Sequence, residues 1–140
     1  MKRNLAILCV LMLGTCGIQI SQATGETRSK IERKIIERIP VEGTDEELQM
    51  MLITVPPGAQ SEPHAHPVQG MNYIVEGAAE SQYTGYPLQH YKVGDSYIDL
   101  AQVTHEVFRN PSNTQPLKFI VVFKIKKGVA FKQDLPSPSP

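Results

Sequence analysis

The sequence has no tryptophan, and its two cysteines, Cys9 and Cys16, fall in the first 16 of its 140 residues. Nor has it charge of one sign to spare, because 14 basic residues face 14 acidic ones. That balance excludes the basic surplus by which a protein grips nucleic acid or an anionic membrane, so no nucleic-acid partner is expected. A hydrophobic content of 41% with 20% charged residues is too apolar for a disordered chain. The longest apolar stretch, from Leu5 to Ile20, is interrupted by Thr15 and Gln19 and falls short of the roughly 20 residues a spanning helix needs. No integral membrane span is therefore expected in the mature chain.

What that stretch does carry is a targeting pattern. Lys2 and Arg3 precede nine consecutive apolar residues, Leu5 to Leu13, and the chain then turns small and polar up to Ser21-Gln22-Ala23. This is the order of a secretory signal peptide, so residues 1–23 are expected to be removed and the protein exported, to a periplasm or to the outside. In a second reading, Leu13-Gly14-Thr15-Cys16 is a lipoprotein box and the chain is lipid-anchored through Cys16. Cleavage after Ala23 leaves 117 residues with 12 basic and 14 acidic side chains and no cysteine. Thiol catalysis and cysteine-based metal sites are then excluded. A domain of this size buries roughly two-thirds of its chain's surface and can fold without disulfides.

Residues 24–33 read as a polar arm. From Lys34 onward, brief β-branched runs alternate with turn residues: Lys34–Ile39, Gln49–Val55, Met71–Val75, Leu88–Val93, Tyr97–Leu100, Glu106–Phe108 and Lys118–Ile125. That spacing predicts an all-β sandwich or barrel. All 11 prolines lie at or after Pro40, between the runs or at their edges, where they take no donor from a central ladder. The domain is expected over residues 34–127, followed by a Pro/Ser-rich tail over 128–140.

Chemistry concentrates in the four histidines. His64 and His66 are two apart, and on a strand that places both imidazoles on one face, about 6.6 Å apart along the chain. Two converging imidazoles suit a divalent transition metal such as Fe, Mn, Ni, Cu or Zn. His90 has no partner at such spacing and reads as a surface residue.

The segments PPGAQSEPHAHP (Pro56–Pro67), NYIVEG (Asn72–Gly77) and VGDSYIDLAQVTHEVFRNPS (Val93–Ser112) together resemble the two short motifs of the cupin superfamily. The resemblance runs from Ile35 to Phe123 and is close to small single-domain cupins described as quercetin-dioxygenase-like. Gly58, His64, His66 and Gly77 match the first motif, and Gly94, Asp95 and His105 the second; Asn110 falls one position late. The resemblance implies a double-stranded β-helix barrel, jelly-roll-like, with one divalent transition metal inside it, held by His64, His66 and His105.

The family's first motif usually carries Glu four residues after its second His, and here that position is Gly70. Gln69, Glu62 and Asp99 are the candidates to make good that loss, and Gln69 is the favoured additional ligand. Asp99 is the candidate catalytic base, with Glu62 and Glu106 the other available carboxylates. Asn72, Tyr73 and Phe108 are the candidate substrate-binding residues. Two functions follow: a metal-dependent, dioxygenase-like oxidoreductase acting on a small molecule, or a non-catalytic cupin that binds a small ligand or metal. A homodimer is expected if N-terminal strands are exchanged, which would give Lys34–Ile39 an interface.

Overall fold

The computed structural model describes residues 30–135. The expected signal peptide, Cys16 and residues 136–140 lie outside the described residues. Ten strands follow one another with no helix between them in the described chain: β1 (Glu32–Pro40), β2 (Glu46–Val55), β3 (His64–Ala65), β4 (Gly70–Glu76), β5 (Ala78–Tyr83), β6 (Gln89–Lys92), β7 (Ser96–Asp99), β8 (His105–Arg109), β9 (Leu117–Lys126) and β10 (Gln133–Asp134). They form two five-stranded antiparallel sheets, in the orders β1-β2-β9-β4-β7 and β10-β3-β8-β5-β6. This is the expected all-β barrel, and each of the seven runs expected from the sequence overlaps a strand, with Leu88, Val93 and Leu100 just outside β6 and β7.

The alternation of residues explains which faces turn inward. Along β9, Leu117, Phe119, Val121, Phe123 and Ile125 are buried while the residues between them are not, and β4 and β7 follow the same period of two. With Ile53, Val55 and Ile74 these side chains make one apolar core. Gly77 turns β4 into β5 with φ of 76°, and a Cβ there would collide with the Pro116 carbonyl, so no other residue fits. Asn110, buried in the turn after β8, donates to the carbonyls of Val55, Pro56 and Gln115 at 3.2, 3.2 and 2.8 Å. It stitches loops together and takes no part in the histidine cluster.

Both expected ends of the domain differ. β1 begins at Glu32, so the arm's last residues are already strand, paired with β2. The segment after Gly128 is not a free tail either: β10 pairs with β3, and Phe131 stacks on Phe123 at 3.9 Å. The physical reason is a slot at Gly70, where the absence of a side chain leaves room for an aromatic ring.

Candidate metal centre

His64 opens β3, His66 lies just past its end, and His105 opens β8 as the register partner of His64. All three are buried. Their ring centroids are 4.9 Å apart for His64–His66 and His64–His105, and 6.0 Å apart for His66–His105. One nitrogen from each lies within 4.8 Å of the others. The loop before β8 is tied to this cluster: Gln102, at φ of 59°, donates its backbone N–H to the His66 carbonyl at 2.9 Å and its amide to the Pro67 carbonyl at 3.0 Å.

The second nitrogens set the tautomers. His64 Nδ1 lies 2.9 Å from the Glu62 carbonyl and His66 Nδ1 lies 3.0 Å from the Phe131 carbonyl. A carbonyl only accepts, so each Nδ1 carries the proton and each Nε2 keeps its lone pair. His105 Nε2 lies 2.8 Å from Ser81 Oγ, and its Nδ1 is buried with no hydrogen-bond partner among the described residues. Tyr83 stacks on the His105 ring at 4.0 Å. Burial holds His64 at about 4 and His105 at about 2, with the neighbouring imidazoles pushing the same way, so both are neutral near pH 7. Neutral imidazoles with one nitrogen anchored and the other free are what a transition metal requires, and the three histidines fit such an ion.

A carboxylate stands beside them. Asp99, at the end of β7, is buried, and its Oδ1 is 3.9 Å from His66 Nε2. The Tyr83 hydroxyl donates to Asp99 Oδ1 at 2.8 Å, and Asn72, buried on the same inward face, donates its Nδ2 to the Gly70 carbonyl at 3.5 Å. Burial raises the Asp99 carboxyl, opposed by His66 and by the neighbouring Asn72 and Tyr83. Asp99 is the register partner of Gly70. A Cβ placed on Gly70 would come within 2.6 Å of Phe131 Cζ, 3.0 Å of Val121 Cγ2 and 3.2 Å of Asp99 Oδ2. The space that a side chain at position 70 would take therefore holds the Phe131 ring and the Asp99 carboxylate.

The other sequence candidates divide by parity. Gly70, Asn72 and Ile74 face inward, so Met71 and Tyr73 face out, and Tyr73 is 50% exposed. Tyr73 is thus not a cavity residue. Gln69, exposed and off the cavity wall, is not brought to the histidines, because the inward phase of β4 starts one residue later. Glu62 and Glu106 are exposed, the latter bonded to Thr84 Oγ1 at 2.7 Å. His90 is exposed beside Glu80, at 3.3 Å. Phe108 does line the cavity, its ring 5.4 Å from His105. Sequence reasoning missed Ser81, Tyr83 and Phe131. The alternation Ala79-Ser81-Tyr83 is a signal for the first two, weak because two of its three inward residues are small.

The cluster sits in an open cavity of about 720 Å³, with Ile53, Phe108, Phe119, Val121 and Phe131 among its apolar walls. The family model described as the cupin domain matches residues 51–123. This chain belongs to the cupin family. None of the curated proteins matches it. Among solved structures, this cupin is similar to an uncharacterized conserved protein with a double-stranded β-helix domain from Klebsiella pneumoniae, at 20% identity and a TM-score of 0.56 over 74% of this chain and 84% of that one. It is also similar to a cupin-like protein from Thermotoga maritima, at 20% identity and 0.58 over 78% of each chain. A third is the DMSP lyase DddQ from Ruegeria pomeroyi, at 21% identity and 0.59 over 80% of this chain and 55% of that one. The likenesses are of fold, a type-2 cupin barrel.

Proposed function

We propose that this cupin is an exported metalloprotein that binds one divalent transition metal through His64, His66 and His105 and acts as a dioxygenase-like oxidoreductase on a small molecule. The observation that carries the reading is the convergence of three buried imidazoles, two of them with Nδ1 fixed on a backbone carbonyl. When bound, the metal supplies a Lewis acid for a substrate oxygen. The rest falls to the chain. Asp99, held by Tyr83, accepts the proton that a hydroxyl substrate gives up. Phe108, Phe119 and Phe131 bind the apolar body and exclude water. In a dioxygenation both atoms of O2 enter the substrate, so no further reductant is needed. The reading extends to a homodimer along β1, an exposed edge strand that carries Ile35, Ile36 and Ile39 at its surface.

Gly70 favours a second reading, a non-catalytic cupin that binds a small ligand or metal, because the residue at this position brings no carboxylate of its own. Two measurements separate the readings. Elemental analysis of natively purified protein is expected to find about one transition metal per chain, lost in His64→Ala and His105→Ala; no metal after reconstitution sinks the oxidoreductase and leaves only a ligand-binding cupin. Oxygen uptake is then followed on catechols, flavonols and acetophenones. Uptake that Asp99→Asn suppresses supports the oxygenase, and a metal-loaded protein inert across the panel leaves the binder.

A further inference from the structure

The cavity's base is polar and its walls are apolar, but its rim is basic. Arg33, Arg38, Lys127 and Lys132 line it against Glu47 and Asp134. Several of these charges are already answered. Arg38 lies 3.8 Å from Glu47, Lys132 is paired with Asp134, and Lys127 lies near Asp45. Arg33 is different. Among the described residues no carboxylate lies within 4 Å of it, and its guanidinium meets only the Ile31 carbonyl, at 3.5 Å.

Arg33 and Lys132 come from opposite ends of the described chain, β1 and the segment leading into β10, yet both border the cavity and the groove beside it. Burial lowers both groups from their ordinary values, and Arg33 adds to the effect on Lys132. Both cations line the same groove, with the Glu62 and Asp134 carboxylates on its Lys132 side. Arg33 is thus the cation at the mouth of this apolar cavity that has no carboxylate of its own, with Lys132 beside it shared with Asp134, and a guanidinium fork matches the two oxygens of a carboxylate.

We propose that the mouth of this cavity holds the carboxylate of a small organic acid between Arg33 and Lys132, with the acid's aromatic or branched apolar body against Ile53, Phe119 and Phe131 and its far end at the histidines. This names a substrate class for the metal-dependent reading above and rests on that reading for the chemistry, though not for the binding. A cavity of about 720 Å³ lies in the range that takes one such molecule. The anchoring charge sits at the rim, so the acid's orientation is set before its far end reaches the histidines.

The test compares two ligands of equal shape, 4-phenylbutyrate and 4-phenylbutan-1-ol, by calorimetry on the full chain, zinc-loaded and metal-free. The acid is expected to bind at least tenfold more tightly than the alcohol in both forms. Arg33→Gln should abolish that preference and Lys132→Gln should reduce it, with zinc content unchanged in both variants. Equal binding of acid and alcohol, binding of neither, or a preference that survives Arg33→Gln overturns the proposal. A preference present only with zinc overturns it too, because the carboxylate is then on the metal. If zinc fails to bind while the Arg33-dependent preference persists in the metal-free chain, the metal reading fails and the acid site stands.

Discussion

The inward face of the β1-β2-β9-β4-β7 sheet carries Ile53, Val55, Ile74, Leu117, Phe119, Val121, Phe123 and Ile125, whereas the opposing sheet turns inward His64, Ser81, Tyr83 and His105, with Ala79 and Phe108 as its buried apolar residues. The strands differ in the same sense. β2 and β9 run ten residues each in continuous register, while β3 has two residues and meets β8 through a single pair, His64 with His105. One sheet supplies apolar burial and the other supplies ligands. Hydrophobic free energy grows with the apolar area removed from water, which favours long strands and large side chains. A metal centre needs a few lone pairs aimed at one point, and short strands between loops can aim them.

Acid should separate the two faces most strongly. In the folded, metal-free chain His64 stays neutral down to about 4 and His105 to about 2. The unfolded chain takes up both protons near pH 6.5, so it binds more protons and stability falls as pH falls. The loss starts near pH 6.5, and two such groups give a slope approaching roughly 2.7 kcal/mol per pH unit. Between pH 6.5 and 4.5 the metal-free protein should lose roughly 4 kcal/mol by urea unfolding. A His64→Gln/His105→Gln variant should lose much less, since the two imidazoles that take up protons on unfolding are gone. An equal loss in that variant would assign the acid sensitivity to other groups.

The same contrast explains how far the fold could be read in advance. The inner strands of the apolar sheet announce themselves by β-branched and aromatic residues, and Gln49–Val55 and Lys118–Ile125 fall inside β2 and β9. β5 gives no such signal, because Ala79, Ser81 and Tyr83 bury little apolar area between polar neighbours, and its place depends on Ser81 meeting His105 across the sheet. His64 and His66 were legible because a two-residue spacing is a local property, and His105 through the resemblance to the second cupin motif. Phe131 was not: its partner lies at Gly70, and a vacant side-chain position attracts a ring only once the chain has folded back. Gln69 failed for a reason as simple as parity.

Gly70 and Phe131 are where the two faces meet, since Gly70 belongs to the apolar sheet and Phe131 reaches it from the segment that leads into β10. Gly70→Glu drives a side chain into the Phe131 ring, 2.6 Å from where the Cβ would lie, and into Val121. Overpacking of this kind costs about 1–3 kcal/mol. Phe131→Ala opens the slot, so in the presence of zinc the double variant should be destabilised by less than the sum of the single changes, with a coupling of roughly 0.5–3 kcal/mol in thermal or urea unfolding. Strict additivity would mean that the C-terminal segment lifts away at little cost and that Phe131 is a loose cover over the cavity.

The smallest effect on folding should come from Ser81. For His105 to present Nδ1 with a lone pair, Nε2 must carry the proton and donate it to Ser81 Oγ, 2.8 Å away. Ser81→Ala removes that acceptor and should cost about 1 kcal/mol of stability in the metal-free chain. It should do more to the metal, because losing the partner of a ligating imidazole lowers affinity roughly 10–100-fold. Competition against a chromophoric zinc chelator reads this directly. Tyr83→Phe is the control: it keeps the ring stacked on His105 at 4.0 Å and removes only the hydroxyl that bonds Asp99. If Ser81→Ala leaves zinc affinity unchanged while Tyr83→Phe lowers it, the imidazole is oriented by the stacked ring alone, and what the metal feels is the Asp99 carboxylate contributed by the apolar sheet.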